Sequence, residues 1–186
     1  SKLTYIYNGI DANSIPYSLD VKKEKWVIFL GSLTFDKGFH VLAKMWSKIL
    51  KVHPDAKLIV IGSGKLYDNN QTFGKLGVAE ESYERRIRKY IVNEKGEIDS
   101  SIVFHGVLGT EKYELMAKGC VGIANHPSVR ESFCLSAAEF QLCGTPVVST
   151  NYGGLRDTVN NGSTGFLVRK KREISKSICY LLSNPE

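Results

Sequence analysis

The chain reads as an α/β protein, a doubly wound parallel sheet of the Rossmann-like class. Three observations point there. Six short β-branched or apolar runs alternate with helical patterns along the 186 residues. Most of the runs are apolar throughout, as in strands buried on both faces of a parallel sheet. Three of them end on glycine, at Leu30-Gly31, Ile61-Gly62 and His105-Gly106, and ligands of open α/β sheets sit beyond the carboxyl ends of the strands. Glycine at such a place either lets backbone approach a ligand or serves a tight strand-to-helix turn.

Taken in order, residues 1–20 show no clear period; Asn8-Gly9-Ile10-Asp11 is a turn signal and Pro16 follows. This segment is expected to be a lead-in or linker, and residues 21–186 to form one domain. Strands are expected over 26–30, 58–61, 102–105, 120–124, 146–149 and 165–168. Between the first two, Leu42, Met45, Trp46, Ile49 and Leu50 recur at i, i+3, i+4, i+7 and i+8, one face of a helix. A helix over 81–93 carries Glu84, Arg85, Arg86, Arg88 and Lys89 and is expected to face solvent, within a surface excursion over 65–100. Helices over 110–118, 134–143 and 172–183 complete the alternation.

Composition narrows the class. With 42% hydrophobic and 24% charged residues, disorder and fibrous repeats are excluded. The apolar run Trp26–Leu30 is far short of the ~20 residues that span a bilayer, and Ser1–Asn8 has no signal-peptide core. A soluble, cytoplasmic domain is expected. The net charge of +6 includes two dense runs, Lys22-Lys23-Glu24-Lys25 and Arg169-Lys170-Lys171-Arg172. Neither is interleaved with aromatics as a single-strand groove would be, so nucleic acid is not expected. Two readings remain, a solvated surface and a peripheral contact with an anionic membrane. Cys120, Cys134, Cys143 and Cys179 form no zinc spacing; they read as reduced thiols, with Cys134 and Cys143 as core fillers. His40 and His53 read as surface positions of the first helix.

Several site motifs are missing. There is no Gly-x-x-x-x-Gly-Lys-Ser/Thr, no Gly-x-Ser-x-Gly and no Asp-x-Asp, so a P-loop, a hydrolase elbow and a carboxylate pair for a metal–diphosphate are not expected. Gly62-Ser63-Gly64 starts like a dinucleotide fingerprint, but Tyr67 stands where the third glycine belongs. The informative stretch is Asn125–Glu139. After the strand at 120–124, Pro127 and Ser128 break the chain, and Leu135, Ala138 and Leu142 start a helix face. Amides of about Phe133 to Leu135 would be unpaired at the helix start, where the dipole favours an anion such as a diphosphate. Glu131 before the helix and Glu139 in its second turn would then reach two groups of hydroxyls on one extended ligand. The same spacing also fits a capping acid and a solvent-facing helix glutamate.

Glu131-x₇-Glu139, Gly144-Thr145-Pro146-Val147-Val148, Gly153-Gly154 and Gly162–Val168 together resemble the C-terminal domain of retaining, nucleotide-sugar-dependent glycosyltransferases with two Rossmann domains (GT-B type, group 1). Gly31–Gly38, Leu58–Gly64 and Val103–Gly106 fall in that family's order, so the resemblance covers residues 26–168. Asn8–Asp11 is similar to the family's interdomain linker. The resemblance implies a donor-binding half whose acceptor-binding N-terminal partner lies outside this chain.

It also implies roles. Glu131 would hydrogen-bond donor-sugar hydroxyls near the reacting carbon, and Glu139 the ribose hydroxyls. The amides of Phe133, Cys134 and Leu135, beside Ser132, would receive the diphosphate. Backbone at Val107 would recognise the base, with Gly62, Ser63 and Gly64 as a wall and Gly31 close by. His105 and His126 would either touch the sugar or pack loops. Lys37 would neutralise the departing diphosphate in place of a metal, so no metal or other cofactor is implied. One departure stands out: the family usually has arginine where this chain has Ser32. Serine offers neither charge nor a bidentate fork, which leaves open a member that binds donor without transferring it. The isolated fragment is expected to bind a donor and transfer nothing.

Overall fold

The computed structural model describes residues 3–4, 6–15, 21–64, 72–124 and 131–185. Pro16, Tyr67, His126 and the rest of 125–130 lie outside the described residues. Six strands, β1 (Glu24–Leu30), β2 (Lys57–Ile61), β3 (Ile102–Gly106), β4 (Gly119–Ile123), β5 (Val147–Thr150) and β6 (Gly165–Val168), form one sheet in the order β3-β2-β1-β4-β5-β6. Every neighbouring pair is parallel. The helices are α1 (Phe39–Leu50), α2 (Glu81–Ile91), α3 (Lys112–Lys118), α4 (Leu135–Leu142), α5 (Leu155–Thr158) and α6 (Lys171–Ser183). The six strands and five longer helices fall where periodicity placed them. The four-residue α5 was not foreseen, being too short to show a period. No described helix is long and apolar enough to cross a membrane.

The sheet is buried on both sides. Within β1, Val27 and Phe29 enter one cluster with Leu58, Val60, Val121 and Ile123, against the apolar faces of α1, α2 and α6. Ile28 points the other way and packs with Ile59, Tyr113, Met116, Ala137, Phe140 and Val147 under α3, α4 and α5. The pleat sends successive side chains to opposite faces, so a strand covered by helices on both sides is apolar at most positions; the buried Ser149 of β5 donates its hydroxyl to the Ala124 carbonyl at 2.6 Å. Each fully buried Val, Ile or Phe stabilises by roughly 1.5–3 kcal/mol. The edge strand β3 is covered less well and leaves Val103 exposed.

Three expectations are corrected. α2 does not simply face solvent: Tyr83, Ile87 and Ile91 recur every four residues and are buried. Glu84 beside them is only 2% exposed, because its carboxylate accepts the Leu76 amide at 2.8 Å and the Val78 amide at 3.1 Å. His53 is not on the helix surface. α1 stops at Leu50, and the buried His53 ring sits with Nε2 3.1 Å from the Cys179 carbonyl of α6. Lys23 is not a solvated member of its basic run. Its Nζ donates to the carbonyls of Ala117 (2.7 Å) and Gly144 (2.9 Å) and to Thr145 Oγ1 (3.1 Å). Burial lowers its pKa, while the nearby Cys120 and Cys143 thiols act in the opposite sense.

Candidate functional site

The strand order turns around between β1 and β4. The chain leaving β1 runs toward β2 on one side, and that leaving β4 runs toward β5 on the other, which opens a crevice at the carboxyl ends. A cleft of about 290 Å³ lies there, lined by Leu30, Gly31 and Lys37 after β1 and by residues 131–136 leading into α4, with Asn8 at its side. A larger hollow of about 790 Å³ opens at the amino ends of β1 and β5, around Lys22, Gly144 and Pro146. It is at the wrong end of the strands for this class of sheet, and none of its lining residues is an acid.

Lys37 and Glu131 meet across the smaller cleft, with Nζ 3.5 Å from Oε2. The Glu131 side chain is the better buried of the two, at 17% exposure against 40%. Its other oxygen accepts the Cys134 amide at 3.2 Å. This changes one expectation, since that amide is engaged by Glu131 rather than unpaired. Cys134 occupies the N-cap of α4 in the left-handed region, with φ 69° and ψ 77°, and among the described residues it alone does so without being glycine. That conformation costs on the order of 1–3 kcal/mol and persists where surroundings hold it.

The surroundings are the chain after β5. Gly154 N–H donates to the Glu131 carbonyl at 2.7 Å, and Thr158 Oγ1 donates to the Phe133 carbonyl. A Cβ on Gly153 would lie 2.3 Å from the Glu131 oxygen, and one on Gly154 1.9 Å from the Ser132 oxygen. The glycine pair therefore exists to let this backbone rest against residues 131–133. The sequence showed it as a motif without a role. Tyr7 and Asn8 were also missed: the Tyr7 ring lies 5.9 Å from that of Phe133, and Asn8 lines the cleft. Both sit in the aperiodic first segment, where Asn8 showed only as a turn signal and nothing marked Tyr7.

The remaining candidates do not line this cleft. Ser32 is only 5% exposed, in the loop after β1. Gly62 and Gly64 answer to the protein's own backbone: a Cβ would lie 2.0 Å from the Gly31 oxygen at Gly62 and 2.9 Å from the Glu80 nitrogen at Gly64. The Ser63 carbonyl accepts Leu33 N–H at 3.3 Å. His105 and Val107 are exposed at the end of edge strand β3. Glu139 is not a solvent-facing acid; its Oε1 takes Lys112 Nζ at 2.7 Å and Tyr113 OH at 3.1 Å, bridging α4 to α3. Burial pushes the Cys134 thiol up and the Cys143 thiol to about 11. Both stay protonated at neutral pH, as core fillers would.

A six-stranded parallel sheet in this order matches the Rossmann-like half of solved GT-B glycosyltransferases. The chain belongs to the glycosyl transferases group 1 family, whose profile matches residues 13–186. It is 28% identical over 187 residues to an uncharacterized glycosyltransferase of Methanocaldococcus jannaschii, covering 91% of this chain and 42% of that protein. Among solved structures, HepE of Anabaena in complex with UDP-glucose superposes with a TM-score of 0.70 at 22% identity, over 97% of this chain and 50% of that one. The C-terminal domain of the group 1 protein LpcC from Francisella tularensis does so with 0.72 at 17%, over 95% and 89%. The chain thus spans about two fifths of the first relative's length and nearly all of one isolated C-terminal domain.

Proposed function

We propose that this domain binds a nucleotide-diphosphate sugar in the cleft between β1 and β4, as the donor half of a retaining glycosyltransferase acting on a glycan, lipid or small-molecule acceptor. The observation that carries the reading is the Lys37–Glu131 convergence at 3.5 Å over the carboxyl ends of the central strands. Glu131 orients the sugar through its hydroxyls. Lys37 meets the charge that develops on the departing diphosphate, where a fixed cation in a cleft is worth several kcal/mol. No metal is required in this scheme. Glu139 receives the ribose hydroxyls by exchanging part of its contact with Lys112 and Tyr113, and backbone at Val107 reads the base. Residues 1–20 lead in from an acceptor-binding domain that contributes the rest of the site.

A second reading rests on Ser32. Among the described residues Lys37 is the one Lys or Arg lining the cleft, and Lys112 is engaged by Glu139, so no described cation stands in for the family's arginine. A domain that binds the donor without transferring it has this charge count. Calorimetric titration with UDP, GDP and ADP sugars tests the common part: one of them binds, and Lys37→Ala weakens it. Absence of binding at millimolar nucleotide sugar overturns both readings. Transfer by the full-length protein that is lost in Glu131→Gln selects the first, and donor binding without transfer selects the second.

A further inference from the structure

A second hollow, of about 360 Å³, lies between α1 and α2 on the sheet face that carries α6, away from the donor cleft. Its walls are His40 and Lys44 from α1 and Arg85, Arg86, Lys89 and Tyr90 from α2. Four of these six residues are cations and none is an acid. Among the described residues, the one carboxylate ion-paired to any of them is Glu81, on Arg85 at 2.9 Å. Both partners of that pair are largely exposed, so it is worth little and yields readily to a stronger anion.

The charges are held together by the fold. α1 and α2 pack through buried faces, Val41, Leu42 and Trp46 on one and Tyr83, Ile87 and Ile91 on the other, which sets Lys44 opposite Arg85 and Lys89. The Arg86 guanidinium rests 4.4 Å above the Phe35 ring, and Tyr83 OH accepts the His40 amide at 2.9 Å. Burial, then the charges of Lys171 at the start of α6 and of Arg86, hold the His40 imidazole below its usual range. The lesser part of that lowering, from Lys171 and Arg86, reflects a positive local field, and such a field attracts anions. Like charges gathered by packing repel one another, and a multivalent anion relieves that repulsion. A phosphate group, with up to two negative charges and three free oxygens, can engage several of these cations at once, and guanidinium forks match its oxygens bidentately.

We propose that the groove between α1 and α2 is a binding site for a phosphate group, carried either by a soluble phosphorylated molecule or by the headgroup of an anionic lipid. The site is separate from the donor cleft and does not depend on the function proposed for it. The probe is inorganic phosphate, titrated while the His40 ring resonances are followed by NMR. The variant is Lys44→Ala/Lys89→Ala, which changes two exposed side chains; a melting curve checks that it folds. Phosphate is expected to shift the His40 resonances and raise the imidazole pKa. The double variant is expected to lose affinity by about tenfold or more, while Lys37→Ala leaves the His40 response in place.

Sedimentation with vesicles of phosphatidylcholine, with and without phosphatidylglycerol, separates the sources. Retention on the anionic vesicles that the double variant loses assigns the phosphate to a lipid. A phosphate response without retention assigns it to a soluble molecule. The proposal is overturned if millimolar phosphate leaves His40 unmoved and anionic vesicles do not retain the protein, or if the double variant binds either probe as the parent does.

Discussion

Gly154 donates its amide hydrogen to the carbonyl of Glu131 at 2.7 Å, so the carboxylate that meets Lys37 hangs from the loop after β5 as well as from its own chain. Adding one methyl group at Gly154 places carbon 1.9 Å from the Ser132 oxygen, which forces residues 131–134 to move. Gly154→Ala is expected to destabilise by about 1–3 kcal/mol, the range for overpacking a tight site, and to weaken donor binding along with it. Thermal denaturation and nucleotide-sugar titration of the same variant check this. Gly9→Ala is the control, because nothing lies within 4 Å of a Cβ there and its backbone is outside the left-handed region.

Glu84 is expected to matter for stability although it sits far from the cleft. Its two carboxylate oxygens accept the amides of Leu76 and Val78, tying the turn before α2 to the helix. Hydrogen bonds to a charged group contribute about 1.5–3 kcal/mol, and their loss leaves two partly buried amides without this partner. Glu84→Ala should lower the midpoint of urea denaturation by the equivalent of at least about 2 kcal/mol. Glu81→Ala, on the exposed side of α2, should change it by less than about 0.5 kcal/mol. Equal effects of the two would refute the assignment.

The contrast between these two acids shows what could be read from the residues alone. Val27, Ile28 and Phe29 are apolar without alternation because helices cover both faces, so strand positions and fold class were legible. Glu84 was not, because the groups it satisfies are backbone amides that carry no residue-type signal. His53 and Cys179 meet across 126 positions, and no local pattern encodes a contact that the topology alone creates. At the site, Glu131 was marked by its place before α4 and Lys37 only by the family resemblance; that the two face each other is created by the fold. The Lys112–Glu139 bridge and the left-handed Cys134 were not legible either, since each depends on how one element leans on another.

Glu139 is expected to answer to its neighbours. With Lys112 Nζ at 2.7 Å and Tyr113 OH at 3.1 Å, its carboxylate is already oriented by α3. Glu139→Gln keeps the shape and an acceptor but loses the charge. If the ribose hydroxyls bind here, nucleotide affinity should fall by about 5–20-fold, the cost of trading a charged hydrogen bond for a neutral one. Lys112→Met should change affinity with Glu139 intact. Calorimetry on both variants and on the double variant decides the matter; additive effects would show that the two side chains act independently on the ligand.

Stability should also fall on the alkaline side. The Cys143 thiol is raised from 9.0 to about 11, by burial first and by the Glu139 charge second. A thiol whose folded pKa lies above its unfolded value holds its proton in the native state after the unfolded chain has released it. Its stabilisation is complete below pH 9 and is lost as pH rises toward 11, by roughly 2–3 kcal/mol at most for a shift of this size. Lys23 nearby acts in the other direction. Its pKa is lowered, so the unfolded chain binds the extra proton and its own contribution improves as pH rises toward 10.5. Cys143→Ala removes the thiol and leaves the lysine, so its stability should decline less than the parent's between pH 9 and 11. Parallel urea denaturation series at fixed pH values measure this directly, and superimposable pH profiles for the two proteins would exclude a titrating Cys143.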